Sequence, residues 1–282
     1  MNTPASTRRT SLLRLPAAIA MGVLAFAGIG PHASATGPDD AGPKPTIVLV
    51  HGSFADASGF DEVIQRLQAL GYTTLAPSNP LRTLASDAAY IRSVLDTVEG
   101  PIVVVAHSYG GMVVTNAATG HPGVQALVYI NGFAPADGET ASDLAYRFPG
   151  SMIVPENLTV RPYPATVPDA AGQEAYINAD VFHEAFAADL DAETTAAMAA
   201  AQRPIDLATL EQPSGPPAWE TIPSWFVIGT KDNTIPPELH RFMAERADAV
   251  ATVELDGSHV VMMSQPDAVV DVIVEAAAGP EA

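Results

Sequence analysis

The chain has 282 residues, 48% of them hydrophobic and 16% charged, which is enough for one sizeable core within a single α/β domain. Its net charge of −19 repels nucleic acid and anionic membrane surfaces and argues against both as partners. No cysteine is present, which excludes disulfides, a thiol nucleophile and cysteine metal sites.

Residues 1–35 stand apart from the rest. Arg8, Arg9 and Arg14 lie in or beside a polar start, the apolar run "LPAAIAMGVLAFAGIG" follows, and "ASA" ends at Ala35. That succession is the charged region, short apolar core and small-residue cleavage site of an export signal. The run is short for a membrane span and contains Pro16 and several glycines, so removal rather than anchoring is expected. The pair Arg8-Arg9 resembles a twin-arginine signal, which carries folded protein. Residues 1–35 hold three arginines and no acid, so the remainder sets 10 Lys and Arg against 32 Asp and Glu, a net −22. A secreted or periplasmic protein with no stable membrane association is the expectation.

After the Pro- and Gly-rich lead "TGPDDAGPKP", the run Thr46 to Val50 reads as a buried strand ending in His51-Gly52. Phe60, Val63, Ile64, Leu67 and Leu70 then fall on one face of a helix closed by Gly71. "TTLAP" reads as a strand and "SDAAYIRSVLDTV" as a helix with Ala89, Ile91, Val94 and Leu95 in its stripe. "IVVVA" is a strand, "GGMVVTNAATG" a helix and "ALVYI" a strand. Alternating strand and helix with short links gives βαβ crossovers and a parallel sheet. Continuous apolar strands imply helices on both faces. From Phe133 to Trp219 the rhythm changes: ten prolines accompany helical patches such as "DVFHEAFAADL" and "AETTAAMAAAQ", and no convincing strand is visible. This segment reads as a helical insertion over one end of the sheet, dividing a core of residues 36–132 and 220–282. The core rhythm returns with "SWFVIG", "PELHRFMAERA", "ATVEL" and "PDAVVDVIVEAA".

One strand stops at a serine. In "IVVVAHSYGGMVV" the strand meets Ser108 and a helix begins at once, which puts Ser108 on a tight turn at the carboxyl edge of a parallel sheet, where such sheets carry their chemistry. "AHSYG" departs from the nucleophile-elbow pattern G-x-S-x-G only at Ala106. A serine hydroxyl needs a base, and the base needs an acid that holds its tautomer. Among seven histidines, His259 in "DGSHVV" lies just past the last strand, on a loop at the same edge. His51 and His107 are expected to brace loops, and His121, His183 and His240 to be ordinary helix or loop histidines. Asp232 in "GTKDNTIPP" follows the strand "SWFVIG" and is the expected acid; Asp137 and Asp256 are its rivals. The backbone N–H of Tyr109, at the helix start, and that of Ser53, in the loop after the first strand, are the expected oxyanion donors, with Phe54 the less favoured second donor. Phe54, Tyr109 and Met262 are expected pocket walls. "HEAF" at His183 lacks the second histidine of H-E-x-x-H, so no metal is expected.

These motifs resemble the α/β-hydrolase superfamily and, within it, the branch of plant-type methylesterases and hydroxynitrile lyases. The similarity runs through "VLVHGSFADASGF", "VVVAHSYGGMV", "ALVYINGFAPADGE", "FVIGTKDNTIPP" and "SHVVMMSQPDAV". It implies a mostly parallel sheet of about six strands flanked by helices, a helical cap, no metal or organic cofactor, and hydrolysis of a small-molecule carboxylic ester. The lyases of the branch carry a threonine where this chain has Gly52 and a lysine where it has Val260; without that cation, departing cyanide is not stabilised. A cofactor-free haloperoxidase or perhydrolase, or a lactonase, would use the same three residues. An idle fold that only binds a ligand or partner is the non-enzymatic alternative. Neither oligomeric state nor acyl preference is written in the motifs.

Overall fold

The computed structural model describes residues 43–164 and 171–280; the expected export signal, residues 1–35, lies outside them. In chain order the elements are β1 (Thr46–Val50), α1 (Asp61–Ala69), β2 (Thr74–Leu75), α2 (Leu84–Leu95), β3 (Ile102–His107), α3 (Gly110–Ala117), β4 (Val124–Ile130), α4 (Ala141–Ala145), β5 (Leu158–Pro164), β6 (Ala171–Ile177), α5 (Ala179–Phe186), α6 (Ala192–Ala201), β7 (Ile205–Asp206), β8 (Ser224–Gly229), α7 (Pro237–Arg246), β9 (Ala251–Leu255), α8 (Val261–Ser264) and α9 (Pro266–Ala278). No helix among the described residues is long and apolar enough to cross a membrane.

The six-stranded sheet has the order β2-β1-β3-β4-β8-β9, with every neighbouring pair parallel. Its central strands are apolar without alternation because neither face meets water: β3 and β8 are buried at every residue. Helix α1 packs with α9 and α2 with α3. The start of α2 is set locally, by the Thr83 hydroxyl accepting from the Ser86 N–H at 3.0 Å. From β1 the chain builds outward to β2 and then crosses back to β3 on the other side. The strand order therefore reverses between β1 and β3, and at such a switch point the loops leaving the two strands separate and open a crevice. Those loops carry Gly52-Ser53 and Ser108.

The insertion, residues 133–219, is not all-helical. Alongside α4, α5 and α6 it contains an antiparallel sheet of order β5-β6-β7, paired from Leu158–Ile177 to Pro164–Ala171 and from Glu174 to Asp206. The reason that no strand was visible there is physical. β5 is largely exposed and carries Pro162 and Pro164, which an edge strand tolerates because one of its sides needs no ladder donors. Among the residues of β6 whose burial is described, only Ala175 and Ile177 are fully buried, too few to make an apolar run.

Candidate active site

Ser108 has φ +54°, a left-handed conformation that costs a non-glycine residue about 1–3 kcal/mol. The turn holds it there by crowding. The Ser108 carbonyl accepts from Gly111 N–H at 2.9 Å and from Phe133 N–H at 3.1 Å, and the Ser108 N–H donates to the Asn131 carbonyl at 3.2 Å. A Cβ on Gly111 would enter the Phe133 backbone, and one on Gly52 would collide with Ser108 Cβ and crowd its hydroxyl at 3.0 Å. Gly52 therefore faces the serine with no room for the threonine of the lyases. Ala106, inside β3 and fully buried, leaves the turn intact.

His259 and Asp232 are fully buried at the carboxyl ends of β9 and β8, and His259 Nδ1 lies 2.7 Å from Asp232 Oδ2. The carboxylate is saturated: Oδ1 accepts from the N–H groups of Thr234 at 2.8 Å and Ile235 at 2.9 Å, and Oδ2 is also 3.2 Å from His240 Nε2. Burial alone would raise the Asp232 pKa, but the charge of His259 and the hydrogen bonds from His240 and His259 outweigh it and hold the group well below the usual carboxylate range. An ionised Asp232 keeps the His259 proton on Nδ1, so Nε2 carries a lone pair. That Nε2 is buried with no hydrogen-bond partner among the described residues, the Ser108 hydroxyl included. The rival acids lie elsewhere: Asp256 is exposed and paired with Lys231 at 2.7 Å, and Asp137 is exposed.

The two expected oxyanion donors are free. Neither Ser53 N–H nor Tyr109 N–H donates to any acceptor among the described residues, whereas Phe54 N–H is committed to the Arg203 carbonyl at 2.8 Å. Beneath the elbow, the Tyr109 hydroxyl donates to Asp87 at 3.0 Å; burial and then the Asp87 charge raise its pKa, so it stays a neutral donor.

Several supporting residues carry no motif. His240, expected to be ordinary, is 1% exposed and shares the acid with His259. Asn131 Nδ2 donates to the carbonyls of Ser258 at 2.9 Å and His259 at 3.0 Å, while its Oδ1 accepts from Gly229 N–H at 2.6 Å. A polar residue directly after the apolar run "ALVYI" is the same signal that marks Ser108, and it could have pointed here. Asp189, between α5 and α6, accepts from Ser258 N–H at 2.8 Å, from the Ser258 hydroxyl and from the Ser264 hydroxyl at 2.6 Å. Those three donors outweigh its burial and lower its pKa. No local pattern announces which of the insertion's acids reaches the histidine loop. His107 and His51 brace loops as expected. His107 Nε2 donates to the His259 carbonyl at 2.9 Å, and burial together with the neighbouring His259 keeps its pKa well below the ordinary 6.5. His51 accepts from Asn79 N–H at 2.9 Å through Nε2 and meets the Gly52 carbonyl at 2.9 Å through Nδ1; burial lowers its pKa as well.

A cavity of about 510 Å³ opens over Ser108, walled by Ser53, Phe54, Tyr109, Phe133 and the insertion. Met262 does not reach it; with Val260 it lines a smaller chamber on the other side of Phe54. A positive-φ serine, a buried imidazole with its lone pair free and two unused N–H groups at one sheet edge can transfer an acyl group through an alkoxide attack.

The sequence model of the "Alpha/beta hydrolase family" matches residues 47–272. A probable hydrolase of Phoma sp. is 27% identical over 259 residues, covering 83% of this chain and 98% of that protein. A pyrethroid hydrolase of Sphingobium wenxiniae is 26% identical over 253 residues, covering 83% and 88%. Among solved structures, that of polyneuridine aldehyde esterase superposes with a TM-score of 0.71 at 18% identity, over 83% of this chain and 99% of the other; at that identity the likeness speaks to the fold.

Proposed function

The chain belongs to the α/β-hydrolase family, and on that premise we propose that it is an exported serine carboxylesterase working through an acyl-enzyme on Ser108. His259 Nε2 takes the Ser108 hydroxyl proton as the oxygen attacks the ester carbonyl. The N–H groups of Ser53 and Tyr109 receive the developing oxyanion, and Asp232 balances the imidazolium. His259 returns the proton to the departing alcohol. A water molecule, deprotonated by the same Nε2, then frees the acid and restores Ser108. The observation that carries this reading is the buried pair His259–Asp232, 2.7 Å apart, at the sheet edge that also presents the positive-φ Ser108.

Relatives described as hydrolases, one of them a pyrethroid hydrolase, support ester chemistry for the same family site. Export is the reading of residues 1–35, and a fusion of those residues to a reporter tests it by whether the reporter leaves the cytoplasm. The catalytic reading is tested with p-nitrophenyl butyrate: the wild-type chain hydrolyses it and the Ser108→Ala chain, with unchanged Tm, does not. Turnover undiminished by that substitution overturns the assignment.

A further inference from the structure

The cavity over Ser108, about 510 Å³, lies in the range of about 300–1,000 Å³ that buries drug-sized ligands, far more than an acetyl group fills. Its wall contains hydroxyls, but most are already engaged. The Ser142 hydroxyl donates to Glu211 at 2.5 Å, that of Ser151 to the Thr234 carbonyl at 2.7 Å, that of Thr234 to the Ala185 carbonyl at 2.7 Å and that of Tyr109 to Asp87. Donors committed inside the protein offer a ligand little, so apart from the exposed Tyr146 hydroxyl and the Glu211 carboxylate the polar groups still free, at Ser53 and Ser108, sit where the bond is broken. The remaining wall is apolar, with Phe133, Ile153, Leu158, Leu210 and Ile235 prominent in it.

Charge sharpens the picture. No lysine, arginine or histidine reaches this wall among the described residues, and its one ionisable acid is Glu211. An anion on the substrate would lose its hydration and find no cation in return. The apolar lining also continues outward. Tyr146, just past α4, is 71% exposed and Val160 on β5 is 46% exposed, two of six large apolar side chains left in water among the described residues, and both belong to this cavity. Apolar side chains exposed together at a pocket mouth mark a contact surface.

We infer, building on the ester-hydrolase reading above, that the preferred substrates are uncharged esters with one bulky apolar group, aryl or of about eight carbons, that fills the cavity and reaches the Tyr146–Val160 rim. Esters with a free anion at the far end of that group are rejected. Each methylene moved from water to such a wall favours binding by about fourfold, and the gain appears in kcat/KM until the wall ends.

The test compares kcat/KM for p-nitrophenyl acetate, butyrate and octanoate with that for mono-p-nitrophenyl suberate, which has the octanoate length and a terminal carboxylate. Octanoate is expected to exceed acetate by at least 100-fold and suberate by at least 100-fold. Ala145→Trp, which fills the wall beside the rim, should cut the octanoate-to-acetate ratio at least tenfold. Acetate turned over as well as octanoate, or suberate within threefold of octanoate, overturns the inference. The Ser108→Ala chain separates the two levels: if it is inactive while the wild-type profile is flat, the substrate class alone is wrong, and if it stays active on every ester, the reading of an acyl-enzyme on Ser108 falls.

Discussion

The insertion touches the catalytic edge in two ways, and its two parts do different work. The outer part, from α4 to β6, walls the cavity and leaves Tyr146 and Val160 in water. The inner part, α5 through Leu190, is bonded to the loops that carry the base and its acid. The Ala185 carbonyl accepts from the Thr234 hydroxyl at 2.7 Å, the Glu184 carbonyl from Asn233 Nδ2 at 2.9 Å, and Asp189 holds Ser258, next to His259. Phe186 packs edge-on over the His259 ring, with centroids 5.0 Å apart. The sheet edge thus supplies the reacting groups, the inner part of the insertion holds the loops of both base and acid, and the outer part, although Ser151 and Met152 also donate to the Thr234 and Asn233 carbonyls of the acid loop, walls the cavity. Changes in the outer part should move KM and chain-length preference, and changes in the inner part should move kcat.

At the sheet edge the effects should be largest. Ser108→Ala should lower kcat by at least about 10⁴-fold with no change in Tm, since it removes the nucleophile and leaves the turn in place. Gly111→Ala puts a methyl group into the Phe133 backbone and should cost about 3 kcal/mol, read as a Tm lowered by about 6–12 °C. In the inner part of the insertion, Asp189→Asn swaps one acceptor oxygen for a donor facing donors. It should lower kcat about tenfold with KM and chain-length preference unmoved; a change in KM alone would place Asp189 with the outer part instead.

The smallest effect is a pH dependence of stability. His51 and His107 have folded pKa values below the ordinary 6.5, so below about that pH the unfolded chain takes up protons that the folded chain refuses. Stability should therefore fall as pH drops from 6.5 towards 5, by at most about 1.4 kcal/mol per pH unit for each histidine. Asp232 contributes nothing in that window: its depressed pKa gives stability that is present above 3.8 and lost only in much stronger acid. Urea titrations at several pH values should show a shallower slope for His107→Asn.

Much of the core was legible because burial on both faces writes β1, β3, β8 and the stretch Ala126–Ile130 of β4 largely as apolar runs. A strand that stops at Ser108, and the loops of Asp232 and His259 just past β8 and β9, mark the carboxyl edge by themselves. The structure places Ser108, Asp232 and His259 at the same edge of the sheet, with His259 bonded to Asp232. What stayed hidden depends on contacts between distant segments. His240 looks like any helix histidine until α7 is laid beside the acid loop, and Asp189 looks like a solvated acid until the insertion folds back on Ser258. β5 was hidden because an exposed edge strand with two prolines needs no apolar code.

The central claim is that Ser108 is a nucleophile activated by His259. Incubating the folded chain with a fluorophosphonate and mapping the adduct by peptide mass spectrometry tests it most directly. The account predicts one adduct per chain, on Ser108, absent from Ser108→Ala and formed at least 10³-fold more slowly by His259→Ala. An adduct on another residue, or wild-type labelling of the His259→Ala chain, would contradict it.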